Sequence, residues 1–177
     1  MKTYRNYHLG LGSNQGNRAE LLKGAIKLLE QQAGTVQSCS RIYESRPMLL
    51  SSQKSSLHGN YLNAAVSLIS PLEPKQLINT VLSIEKKLGR VRSVQERWGP
   101  RTIDIDLLFC EDLIIDSDKL ILPHPRICER DFVLRPLADI DPTFIHPVVG
   151  KSVQELLEEF YRQKKECFIL KTADLKL

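Results

Sequence analysis

The chain has 177 residues and a mass of 20.2 kDa, the size of one ordinary domain, so a single domain over 1–177 is expected. With 42% hydrophobic and 26% charged residues, its composition is globular rather than disordered, and a core of this size holds without staples. The net charge of +4 and pI near 8.9 suit an anionic ligand and do not by themselves argue for nucleic acid. Cys39, Cys110, Cys128 and Cys167 are widely spaced and form no C-x-x-C pair. That argues against a zinc knuckle or disulfide scaffold and for a reducing compartment. The first residues, Met1 to His8, form no apolar signal-type stretch, and no later run reaches the roughly 20 apolar residues of a membrane span. A soluble, cytoplasmic protein with no membrane partner is expected.

In chain order, Tyr7–Leu11 reads as a short strand that ends in the loop Gly10–Gly16. Asn17 is placed to cap a helix with Glu20 completing a capping box. Leu21, Leu22, Ala25, Ile26 and Leu29 keep one helical face apolar until Gly34 stops it. Val36–Tyr43 reads as a strand, and residues 44–60 as a long Ser-rich connection of the kind that carries function or moves. Tyr61–Ile69 alternates as a strand, with Tyr61 and Asn63 on one face. Glu73-Pro74 opens a second helix whose stripe is Leu77, Ile78, Val81, Leu82 and Leu88, closed by Gly89. Thr102–Cys110 is a clear strand, followed by short ones at Leu113–Ile115 and Leu120–Leu122. Ser152 and Glu155 frame a capping box for a last helix to about Lys165. The order β-α-β-β-α-β is that of a ferredoxin-like α+β fold, an antiparallel sheet with helices on one face, plus C-terminal additions.

The sharpest feature is the run from Arg97 to Leu108, Arg-Trp-Gly-Pro-Arg-Thr-Ile-Asp-Ile-Asp-Leu-Leu. A strand of period 2 puts Ile103, Ile105 and Leu107 on one face and Asp104 with Asp106 on the other, their Cα atoms roughly 6.5–7 Å apart. Such carboxylates can converge on hard cations. An isolated D-x-D is also the mark of a strand with a solvated acidic face. The preceding loop separates the two readings: residues 86–101 hold Lys86, Lys87, Arg90, Arg92, Arg97 and Arg101 against Glu96 alone. A dense cationic loop running into paired carboxylates is the charge layout of a metal–polyphosphate site, favouring phosphoryl-type chemistry.

Other candidates carry two readings each. Glu85 falls beside the buried stripe of its helix, where a lone carboxylate is costly; it either reaches an arginine or points into the ligand site. The Gly10–Gly16 spacing fits neither a dinucleotide fingerprint nor a P-loop, leaving a tight strand-to-helix turn as the plainer reading. His124, between Pro123 and Pro125, is either structural or a hydrogen-bonding partner of a phosphate or ribose. Tyr61 beside Asn63 pairs an aromatic plate with an amide and suits a flat heterocycle.

The Arg97–Leu108 run resembles, almost position for position, the signature of the 6-hydroxymethyl-7,8-dihydropterin pyrophosphokinases of folate biosynthesis. Leu11-Gly-Ser-Asn14, Tyr61–Val66, Glu85 with Gly89-Arg-Val-Arg92, Leu122-Pro-His124 and Arg130–Leu137 add to the likeness, which runs in order from about Tyr7 to Pro147 and leaves residues 151–177 outside it. The resemblance implies an enzyme that moves pyrophosphate from ATP to 6-hydroxymethyl-7,8-dihydropterin and releases AMP. It implies two Mg²⁺ ions on Asp104 and Asp106, and Arg90 and Arg92 on a mobile catalytic loop. Arg101, His124, Arg130 and Lys119 would bind phosphates or nucleotide, Ile78, Leu107, Leu120 and Ile121 the adenosine, with Glu85 on the nucleotide side. Tyr61 and Phe132 would sandwich the pterin, Asn63 read its polar edge, Ser45 and Met48 finish its pocket through backbone groups, and Trp98 move with the loop. The sequence departs from the family at Ser45–Leu49, where Thr and Pro-Gly features are usual. Partners would be the two small-molecule substrates, with no nucleic acid, and a monomer is the default.

A rival reading is an RNA-binding module, since ferredoxin-like sheets with basic loops bind single strands; it requires an RNP1-like aromatic string, which the chain lacks. A second is a chain that binds nucleotide without turning it over.

Overall fold

The computed structural model describes residues 3–48, 59–91, 101–163 and 166–173. Along them run β1 (Arg5–Ser13), α1 (Arg18–Gln32), β2 (Thr35–Cys39), β3 (Tyr43–Ser45), β4 (Tyr61–Ser70), α2 (Pro74–Lys87), β5 (Asp104–Cys110), β6 (Ile115–Ser117), β7 (Leu120–Leu122), α3 (Asp131–Ile140), α4 (Val153–Arg162) and β8 (Ile169–Thr172). Six strands form one sheet in the order β5-β1-β4-β3-β8, with β2 also on β4, and every pair is antiparallel. β6 and β7 form a separate hairpin.

The strand expected over Val36–Tyr43 is two pieces on one edge of β4: β2 lies opposite Val66–Ile69 and β3 opposite Tyr61–Asn63. Between them Ser40 substitutes its hydroxyl for a ladder carbonyl. Its N donates to the Ala65 carbonyl at 2.9 Å, and its Oγ accepts from the Ala65 N at 2.8 Å. The first strand is also longer than expected. Gly10 and Gly12 do not sit in the turn but inside β1, paired to Asp106 and Asp104 on one side and to Ala65 and Asn63 on the other. Only Gly16, with φ +65°, serves the turn to α1.

Asn17 caps α1 by accepting from the Glu20 N at 3.4 Å; the Glu20 carboxylate pairs with Lys23 rather than closing the box. α2 has Pro74 in its first turn and a complete box between Glu73 and Gln76. Both helices bury their stripes on one sheet face, Leu22, Ala25 and Leu29 with Leu77, Val81 and Ile84 against Leu9, Leu11, Val66, Ile105 and Leu107. The other face is covered too. α3, which the sequence reading did not anticipate, and α4, opened by the expected Ser152–Glu155 box, pack Leu134, Leu137, Leu157 and Phe160 onto Ala65, Leu108 and Phe109. A register shift in β5 opposite His8 and Leu9 turns both Leu108 and Phe109 toward this second layer. The C-terminal additions thus turn a two-layer arrangement into three layers. They also bring β8 back to the sheet, where Ser45 pairs with Ile169 and Tyr43 with Thr172. No helix among the described residues is long and apolar enough to cross a membrane.

Candidate active site

α3 and α4 leave open the end of the sheet where Gly12, Asn63 and Asp104 lie side by side, and a cavity of about 110 Å³ forms there. Its floor is the sheet: Gly10 and Gly12 of β1, Tyr61, Asn63 and Ala65 of β4, Asp104, Asp106 and Leu108 of β5. Its walls are Ser45 at the end of β3 with Arg46, Pro47 and Met48 after it, and Arg130, Phe132 and Val133 at the start of α3. The two glycines make the room, since a Cβ on Gly12 would stand 3.7 Å from Asn63 Oδ1 and 3.8 Å from the Tyr61 ring. Asn63 is fixed by β3: its Nδ2 donates to Ser45 Oγ at 2.9 Å and to the Tyr43 carbonyl at 3.2 Å. The amide therefore offers its oxygen, an acceptor, to the cavity.

A second cavity, of about 260 Å³, opens on the far side of Asp106. Ile78 from α2, Leu107 from β5, Ser117 to Ile121 around the hairpin, and His124 and Pro125 line it. Asp106 belongs to both cavities.

The carboxylate strand is held at its entry by the Leu11–Asn14 segment. Ser13 Oγ donates to the Thr102 carbonyl at 2.5 Å, Asn14 Oδ1 accepts from the Arg101 N at 2.6 Å, and the Asn14 N returns a bond to the Arg101 carbonyl at 3.1 Å. Asp104 is capped by two guanidiniums, Arg90 on Oδ1 and Arg101 on Oδ2. Burial pushes its carboxyl up, but Arg101 and Arg90 outweigh that and hold it below the usual carboxylate range. Burial and then the neighbouring Asp104 charge push the Asp106 carboxyl up to about 7. Two adjacent carboxyls driven apart in this way mark a place where added positive charge is favourable. Arg130 and His124 stand close enough to feel one another: burial first, and then the Arg130 and Arg126 charges, lower the His124 imidazole to about 4, so it is neutral at pH 7. The Arg130 Nε is buried without a hydrogen-bond partner, an orphan donor whose desolvation an anionic ligand would repay.

Most of the expected site residues line one of the two cavities; Arg101 and Arg130, expected at phosphates or nucleotide, lie in the first, and Arg90 lines neither but caps Asp104. Tyr61, Asn63, Phe132, Ser45 and Met48 line the first together with Arg101, Asp104, Asp106 and Arg130. Ile78, Leu107, Lys119, Leu120, Ile121 and His124 line the second. Glu85 lines neither. It is only 1% exposed and, of its two readings, the arginine partner is present: its carboxylate takes the Arg90 guanidinium and accepts from the Ile105 N at 2.9 Å, locking α2 to β5 behind the site. Arg92 and Trp98 lie outside the described residues. Sequence reasoning gives Gly10 and Gly12 to a turn rather than to the cavity floor, and gives Arg46 no role. The G-x-G spacing at period 2 was the available signal for a bare strand face; nothing marked Arg46.

The family profile of 7,8-dihydro-6-hydroxymethylpterin-pyrophosphokinase (HPPK) matches residues 8–142. The 2-amino-4-hydroxy-6-hydroxymethyldihydropteridine pyrophosphokinase of Synechocystis sp. is 41% identical over 152 residues, covering 85% of this chain and 74% of its own length. The Aquifex aeolicus protein of the same name is 37% identical over 164 residues, covering 93% and 97%. The chain spans far less of some relatives: 20% of the folic acid synthesis protein fol1 of Pneumocystis carinii, to which it is 40% identical over 152 residues. A crystal structure of wild-type Plasmodium falciparum HPPK-DHPS with pteroate superposes with a TM-score of 0.74 at 16% identity, over 92% of this chain and 45% of that one, a likeness of fold. With the profile covering most of its length and two relatives at 41% and 37% identity, matched over 74% and 97% of their own lengths, the chain belongs to the 7,8-dihydro-6-hydroxymethylpterin-pyrophosphokinase family.

Proposed function

We propose that the chain transfers the pyrophosphoryl group of ATP to the hydroxymethyl oxygen of 6-hydroxymethyl-7,8-dihydropterin and releases AMP, as a Mg²⁺-dependent cytoplasmic enzyme of folate biosynthesis. The observation that carries this reading is Asp106, a carboxylate in the wall shared by two unlike cavities. In the reaction a bond forms from the hydroxymethyl oxygen to the β-phosphorus as the bond from that phosphorus to AMP breaks, so the substrates must meet end to end. The first cavity, with Tyr61, Phe132 and the Asn63 carbonyl, suits a flat ring bearing N–H donors. The second, with Ile78, Leu107 and Leu120 below Lys119 and His124, suits a purine nucleoside whose phosphates run toward Asp106.

The donor set fits Mg²⁺. No cluster of three or more His, Cys, Asp or Glu is present among the described residues, and Mg²⁺ typically takes one or two carboxylates with waters and substrate phosphates for the rest. Asp104 and Asp106 would hold it, two ions being the number proposed. Bound there, it would supply charge neutralisation to the phosphates. The chain's own groups do the remainder. Arg130 and neutral His124 hold phosphate oxygens from one side. Arg90 and Arg101, which cap Asp104, have phosphate oxygens as their alternative partners. Transfer of this kind rests on positioning and charge neutralisation more than on a strong base, and the site supplies both. The strand order β5-β1-β4-β2 with α1 and α2 on one face supports a ferredoxin-like reading of the core.

The test is AMP formation from ATP and Mg²⁺ with and without the pterin. Pterin-dependent AMP that disappears with EDTA is expected; ATP binding with no AMP would favour the non-catalytic reading.

A further inference from the structure

The C-terminal strand lies outside the family match, which ends at residue 142, yet it is tied to the first cavity at several points. Phe168 is only 7% exposed, and its ring meets Phe132 edge to face at 5.8 Å and 88°. Phe132 is half-buried and lines the cavity; Phe168 lines neither cavity. The residue before Phe132, fully buried Asp131, accepts from the Phe168 N at 2.8 Å and from the Ile169 N at 3.1 Å. On the opposite wall, Arg46 donates from its backbone to the Phe168 carbonyl at 3.0 Å, lays its guanidinium over the Phe168 ring at 5.6 Å, and reaches the Cys167 carbonyl at 2.7 Å. β8 then pairs with β3, whose Ser45 fixes the Asn63 amide.

We infer that the segment 166–172, through Phe168, is a positioning element for the pterin half of the site: it sets the ring of Phe132 and the wall at Arg46, and has no part in the nucleotide half. The ties run to Phe132, Arg46 and Ser45, which line the first cavity, and to Asp131, Tyr43 and Glu44 next to them in the chain; none of these six lines the second. An edge-to-face partner holds an aromatic ring in orientation, and ring placement in a substrate site is felt sharply in affinity. Phe168 is therefore a specificity-side residue that never touches substrate. The inference rests on the pterin reading of the first cavity.

The experiment uses full-length Phe168→Ala and Phe168→Leu. For Phe168→Ala, the pterin KM rises about three- to tenfold while kcat stays within about twofold and affinity for a non-hydrolysable ATP analogue is unchanged. Phe168→Leu, which refills the volume without the edge-to-face contact, falls between. Unchanged pterin KM in Phe168→Ala overturns the inference, as does a parallel loss of pterin and nucleotide affinity, the mark of general unfolding. A wild-type chain that forms AMP without any dependence on pterin overturns instead the reading on which the inference rests.

Discussion

Asp104 and Asp106 share a strand face and differ in their cations. Asp104 is held ionised by Arg90 and Arg101, while Asp106 carries the cost of burial beside that charge. If both hold the same metal–polyphosphate, each is needed and neither suffices. Asp104→Ala and Asp106→Ala should each lower kcat by at least about a hundredfold, and the double variant should lose little more than either alone. Additive losses in single-turnover AMP formation would mean separate roles. Gly12 supports a different prediction, because the space above it belongs to the first cavity. Gly12→Val suits a strand and keeps the fold, but its γ-methyls would enter the space between Tyr61 and Asn63. The pterin KM should rise about tenfold or more with nucleotide affinity unchanged; an unaltered KM would remove the pterin from that floor. The carboxylate pair was legible in the sequence because period 2 fixes a face. Gly12 was not, because periodicity says which face a residue takes and nothing about whether that face is open.

At the scale of elements, local signals placed α1, α2, α4 and the strand of paired aspartates, each with its own cap, stripe or alternation. They failed where pairing decides. β2 and β3 read as one strand because the break at Ser40 depends on a hydroxyl bonding across to Ala65. β8 is four residues, Ile169–Thr172, with Leu170, Lys171 and Thr172 exposed, and so has no alternation to read. α3 carries Pro136 inside it, a residue that argues against a helix until the packing against Ala65 and Leu108 is known. Gly34 shows the same dependence. It stops α1 as expected of a helix end, but its deeper constraint is nonlocal: a Cβ there would sit 2.1 Å from the Ile69 carbonyl oxygen and 2.9 Å from the Ser70 Cα. Both obstacles are backbone, so no side chain can turn aside. Gly34→Ala should lower stability by about 1–3 kcal/mol or more in denaturant unfolding, where a helix-propensity argument alone expects a gain. A stabilised variant would show that β2 can shift along β4.

Across the whole molecule, the division of labour follows the sheet: one face is closed by α1 and α2, the other is half closed by α3 and α4 and half left open as the first cavity. The closed half of that second face holds buried titratable groups that line neither cavity. His8 is 1% exposed, edge-on to Phe109 and tilted against Phe144, with Nε2 on Asp141 at 3.2 Å and no partner for Nδ1. Burial lowers its imidazole, and Asp141 only partly opposes this. The folded chain therefore takes up this proton less readily than the unfolded chain, whose histidines titrate near about 6.5. By linkage the contribution of His8 is full above that value and is lost as the pH falls through the lower, folded one. His146, beside Phe109 at 5.3 Å, is lowered by burial in the same direction. Carboxylates such as Asp139, held low by Arg41 and Tyr43 against their own burial, act at lower pH. Comparing the chain with His8→Gln separates the groups, since everything but His8 is common to both. Between pH 7.5 and 5.5 the denaturation midpoint of the ligand-free chain should fall more than that of His8→Gln; equal slopes would mean that Asp141 stabilises a charged His8 as well as burial opposes it, and that the layer of α3 and α4 is indifferent to that proton.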